Sequence, residues 1–80
     1  MTIVVSKEAA KVIERMDRNA KQRIKAAILK LPQGDIKRLK GSAASFRLRV
    51  GDWRILFSHL EQDKILIEKV GPRGEIYKGV

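Results

Sequence analysis

Arg47, Arg49 and Arg54 flank a Gly51-Asp52 pair, and further along the chain Arg73 is followed by Tyr77. Arginine suits phosphate: its planar fork makes bidentate bonds to phosphate oxygens and it keeps its charge at any physiological pH. A tyrosine near such a group can stack on a base or exchange a proton through its hydroxyl. Taken alone, it also reads as an ordinary half-buried strand residue. Lys37, Arg38 and Lys40, just upstream, extend the basic stretch as candidate RNA-binding, phosphate-tracking residues. A solvated loop without a role accounts for those three equally well.

The balance of charge supports a polyanionic partner. Eighteen Lys and Arg against nine Asp and Glu give +9 on 80 residues, an excess that attracts nucleic acid and raises encounter rates. The plain alternative is a protein with a high pI, so the distribution of the charge has to decide. At this length one domain with one core is expected over residues 1–80. No apolar run approaches a membrane span. Met1-Thr2-Ile3-Val4-Val5-Ser6 lacks the charged start and long apolar stretch of a secretory signal, so a cytoplasmic protein is expected. The absence of cysteine agrees with that and removes disulfides and thiolate metal sites.

Certain elements must position these side chains. Thr2 to Val5 has the β-branched composition of a short strand, and Ser6 is a candidate N-cap. Ala9, Val12, Ile13 and Met16 recur at helical spacing. Asn19 with Gln22 fits a capping-box-like start for a second helix carrying Ile24, Ala27, Ile28 and Leu31, which Pro32 and Gly34 end. Residues 33–45 read as a loop. Phe46 to Val50 alternates strictly, Gly51-Asp52 is the Gly-X pair of a type II′ turn, and Trp53 to His59 returns. Lys64 to Val70 reads as a further strand after the polar turn at residues 61–63, and a last short strand can follow Gly74. The expected fold class is α+β, with an N-terminal strand and an αα-hairpin packed on a mostly antiparallel sheet of four to five strands.

A two-residue turn fixes the register of the hairpin, pairing Val50 with Trp53, Arg49 with Arg54, Leu48 with Ile55, Arg47 with Leu56 and Phe46 with Phe57. Parity then places Phe46, Leu48, Val50, Trp53, Ile55 and Phe57 on the helix-facing side and Arg47, Arg49 and Arg54 on the other. Directly opposed arginines cost up to about 1 kcal/mol unless an anion lies between them, so three arginines of one parity favour phosphate. Alternatively, the guanidinium groups splay into water or are neutralised by Asp52 or Glu68. His59 falls at the far end of the core parity, which favours a packing or rim role.

Arg38-Leu39-Lys40-Gly41, Phe46 to Ile55 and Val70 to Tyr77 resemble the RelE branch of the RelE/ParE toxins, and the resemblance spans nearly the whole chain. It implies a RelE-like fold and a type II toxin that acts as a ribosome-dependent endoribonuclease on mRNA. It further implies silencing by a cognate antitoxin, the toxin alone being monomeric and joining its antitoxin in a hetero-oligomer. The family's site residues fall on Arg47, Arg49, Arg54, Arg73 and Tyr77. In the implied chemistry the 2′-oxygen attacks the adjacent phosphorus, the arginines stabilise the phosphorane, and a 2′,3′-cyclic phosphate remains, with no metal or cofactor required. The best-known RelE toxin has lysines where this chain has Arg47 and Arg49. A guanidinium with a pKa above about 12 is a poor proton acceptor, so the general base is unassigned. Tyr77, with an ordinary pKa of roughly 10 that neighbouring arginines would lower, is the first candidate and Glu75 the second. Two other functions fit the same fold: a ParE-type inhibitor of DNA gyrase without nuclease activity, and a non-catalytic nucleic-acid-binding module.

Overall fold

A computed structural model of the protein describes residues 2–39, 45–61 and 63–72. The elements run β1 (Thr2–Val5), α1 (Lys7–Glu14), α2 (Arg18–Leu29), β2 (Asp35–Arg38), β3 (Phe46–Val50), β4 (Trp53–His59) and β5 (Lys64–Pro72). Five strands form one sheet in the order β1-β5-β4-β3-β2. The chain leaves β1 at one edge, crosses a face through the two helices and enters β2 at the opposite edge. It then meanders back, so that β5 lies parallel to β1 while all other pairings are antiparallel. The α+β class with helices on one face of a mostly antiparallel sheet is therefore as expected.

Ser6 ties the first helix to the sheet. Its Oγ accepts the Ala9 N–H at 3.0 Å and donates to the Glu68 carbonyl at 2.8 Å, serving as N-cap and as a link to β5 together. Ala9 and Ile13 of α1, with Ile24 and Ile28 of α2, turn inward onto Leu48, Ile55, Phe57, Ile65, Ile67 and Val70. The second helix starts earlier than its sequence pattern suggests. Asp17, not Asn19, is the N-cap, accepting the Ala20 N–H at 3.3 Å. A carboxylate three residues before that amide meets the capping geometry sooner than Asn19 can.

The stretch expected as a loop contains a strand. Asp35–Arg38 pairs with β3 and sends Ile36 against Leu48, while its charged neighbours make it an edge that resists pairing with another chain. With one apolar residue in four it has almost no alternation to announce it. Gly34 precedes it at φ 132°, where a Cβ would stand 2.8 Å from Leu48 Cδ1. The fifth strand of the sheet is thus β2; the one expected after Gly74 falls outside the described residues.

The β3–β4 register is the expected one at all five pairs. Gly51 has φ 59° and Asp52 does not have positive φ, as a type II′ turn requires. Between β4 and β5 the register shifts: Leu56 faces Lys69, but Phe57 faces Ile67, which leaves Glu68 as the extra residue of a bulge. Unbroken alternation would have put Glu68 opposite Phe57 in the core. The bulge instead keeps Ile65, Ile67 and Val70 all turned inward.

Candidate nucleic-acid interface

The sheet face away from the helices is built in cross-strand rows. One runs Asp35, Arg49, Arg54, Gly71; the next runs Lys37, Arg47, Leu56, Lys69. Arg47, Arg49 and Arg54 therefore do share this face. They differ in how they are held.

Arg54 is only 8% exposed, and its Nη1 donates to the carbonyls of Gly51 at 2.7 Å and Trp53 at 2.9 Å. The turn thereby fixes the guanidinium, and the charge stays over the sheet at a small entropic cost. Arg49, directly opposite, is exposed. Arg47 is 18% exposed and reaches diagonally to Asp35, with Nη2 3.5 Å from Oδ1. Its Nε is buried and has no hydrogen-bond partner among the described residues. A buried donor without an acceptor is costly.

Asp52 and Glu68 do not neutralise the arginines. Among the described residues the only ion pair on the face is Arg47–Asp35, and the Glu68 carboxylate accepts from Ser58 Oγ at 2.6 Å. Leu56, in the middle of the second row, is buried beneath Leu39. The floor between the cations is therefore apolar, and it excludes water from around the charges that border it.

Of the upstream basic residues, Lys37 lies on this face and Arg38 on the opposite one, because they are successive residues of β2. Neither is in a loop. Lys40, Arg73, Glu75 and Tyr77 lie outside the described residues. His59 is exposed at the end of β4 on the helix-facing side, tilted against Phe46 with ring centroids 5.8 Å apart, a rim position.

Lys69 is the residue that sequence reasoning missed. Counted by twos from Ile65 and Ile67 it belongs to the core, but the bulge at Glu68 turns it onto the arginine face. Two successive polar residues, Glu68 and Lys69, between Ile67 and Val70 are the signal that could have found it. Among the described residues no group of three His, Asp or Glu comes together as a metal site, and no helix is long and apolar enough to cross a membrane.

With this fold and face in view, the comparisons with known proteins converge. Residues 3–77 match the model of the ParE toxin of the type II toxin-antitoxin system, parDE. A chain in the RelB-RelE antitoxin-toxin complex from Methanococcus jannaschii is similar, with 27% identity and a TM-score of 0.73 over 92% of this chain and 94% of that one. The archaeal RelE-RelB complex from Pyrococcus horikoshii OT3 contains another, at 23% identity and a TM-score of 0.70 over 92% and 96%. The intact RelBE toxin-antitoxin complex of E. coli shares the fold at 9% identity, with a TM-score of 0.59 over 92% and 98%. No curated protein sequence matches. The protein belongs to the ParE toxin family of type II toxin-antitoxin systems, within the RelE/ParE superfamily.

Proposed function

We propose that this toxin is a ribosome-dependent endoribonuclease that cleaves mRNA by attack of a 2′-hydroxyl on the adjacent phosphorus. The observation that carries the reading is the Arg49–Arg54 pair. Two arginines paired across the hairpin, the guanidinium of Arg54 anchored by the turn and Arg49 exposed, share the face with Arg47 and its unpartnered Nε. Folding gains nothing from opposing like charges, whereas a phosphorane, with more negative charge than the ground-state phosphodiester, is stabilised by donors already in place. Arg73 and Tyr77 are assigned to the same site from the family resemblance, Arg73 for transition-state charge and Tyr77 as the proton acceptor. Glu75 is second in line for that role. Lys37 and Lys40 extend the track for RNA phosphates; Arg38, on the other face of β2, would meet RNA only at the sheet edge.

The reading extends to the partners. An antitoxin accompanies the toxin in the similar complex from M. jannaschii, and a cognate antitoxin is proposed to silence this one in a hetero-oligomer, the free toxin being a cytoplasmic monomer. The family description names ParE, which favours a second reading, inhibition of DNA gyrase without RNA chemistry. Induction of the toxin without antitoxin separates them. The nuclease stops incorporation of labelled amino acids within minutes of induction while plasmid supercoiling persists. Continuing protein synthesis with loss of supercoiling would instead make it a gyrase inhibitor.

A further inference from the structure

A nuclease of this kind needs two proton transfers, one from the attacking 2′-hydroxyl and one to the departing 5′-oxygen. Guanidinium groups serve poorly in either, since their pKa above about 12 keeps the proton in place. Arg47, Arg49 and Arg54 can hold charge, but the second proton has no donor among them. The described part of the face carries three ammonium groups, Lys37 on the outer strand β2 and Lys64 and Lys69 on β5. Lys64 stands at the far end of its strand beside Thr2, five residues before Lys69 and away from the arginine rows.

We propose that Lys69 is a catalytic residue of this toxin, the general acid that protonates the 5′-oxygen as it leaves. This rests on the nuclease reading. Four observations single out Lys69. The bulge at Glu68 reverses its parity and places it in one row with Arg47, across the buried Leu56. It is only partly exposed, whereas Lys37 is exposed on the edge strand. Its strand neighbour on the arginine side is Gly71, which faces Arg54 and has no side chain to come between the two cations. Among the described residues no carboxylate lies within ion-pair distance of Lys69.

The step balances without any further reactant. The 2′-oxygen loses its proton to the general base and forms a bond to phosphorus, the bond from phosphorus to the 5′-oxygen breaks, and the Lys69 ammonium gives one proton to that oxygen. The products are a 2′,3′-cyclic phosphate, a 5′-hydroxyl and a neutral amine, which water reprotonates.

The test replaces the bridging 5′-oxygen at the cleavage position by sulfur. A thiol has a pKa of roughly 8.5, so the thiolate departs without a proton donor. Wild-type, Lys69→Met and Lys69→Arg toxins are assayed in single turnover on programmed ribosomes with both RNAs, and melting is followed to establish that the variants fold. On ordinary RNA, Lys69→Met and Lys69→Arg should each lose about 100-fold or more, the usual contribution of general acid catalysis. On the 5′-thio RNA both should cut at nearly the wild-type rate. Equal losses on the two RNAs, or no loss on either, overturn the assignment, as does restoration of the ordinary reaction by Lys69→Arg, which keeps the charge without the acid. Should the wild type leave both RNAs intact, the nuclease reading falls and this assignment falls with it; wild-type cleavage with unaffected variants removes only Lys69.

Discussion

Arg49 and Arg54 face each other, yet losing one should not resemble losing the other. Arg49 is exposed and without an ion pair among the described residues, so Arg49→Ala should melt within a degree or two of wild type while RNA cleavage falls roughly 100-fold. Arg54 braces the turn through two carbonyls. Arg54→Ala should therefore lose cleavage and also about 1–3 kcal/mol of stability, which thermal unfolding would read as a drop of roughly 4–8 °C per kcal/mol. Equal melting temperatures for the two variants would show that the carbonyl contacts contribute nothing. Arg73→Ala and Tyr77→Phe probe the C-terminal residues. Each should cut the single-turnover rate about 100-fold or more with ribosome binding weakened far less, whereas a tyrosine used only for stacking would tolerate loss of its hydroxyl. The sharing of one face by Arg47, Arg49 and Arg54 was legible in the sequence because strict alternation met a two-residue turn. How each is held was not, since Arg54's bonds to Gly51 and Trp53 and Arg47's reach to Asp35 depend on backbone positions and on a strand that has no pattern of its own.

Among the elements, the hairpin β3–β4 was the most legible, and it hinges on one residue. Gly51 sits at φ 59°, and a Cβ there would also meet Arg23 Nη2 at 2.7 Å. Arg23 can swing away, but the backbone cannot, so Gly51→Ala should cost about 1–2 kcal/mol, measurable by urea unfolding. A wild-type midpoint for that variant would rule out the type II′ turn. Ser6→Ala removes a cap and a bond to β5 at once and should cost about 1–2 kcal/mol by the same measurement. The misread elements share a physical cause. Strand β2 has charges where a strand at the centre of a sheet would have apolar residues, the bulge at Glu68 breaks the period of two, and the carboxylate of Asp17 caps a helix whose apolar periodicity starts only later. In each case a local hydrogen bond or a pairing partner distant in sequence outweighed the hydrophobic pattern.

For the whole molecule, the sheet's two faces divide the labour: one packs on the helices, and the other gathers cations around the buried Leu56. With a net charge of +9, the proposed binding to RNA and to an acidic or amphipathic antitoxin segment should weaken as salt is raised. Titrating the antitoxin complex between low and high salt should show weakening, and Arg49→Ala should flatten the dependence; a salt-independent affinity with the arginines left exposed would place the antitoxin elsewhere. Fold and family are common to nuclease and gyrase-inhibiting toxins, so only chemistry distinguishes them. The most direct measurement is single-turnover incubation of purified toxin with mRNA on programmed ribosomes, analysing the ends produced. The expected result is cleavage that requires the ribosome, leaves a 2′,3′-cyclic phosphate and falls about 100-fold in Arg49→Ala and in Arg73→Ala. Intact mRNA at saturating toxin, or cleavage at the wild-type rate in both variants, would contradict the assignment of the arginine face as a nuclease site.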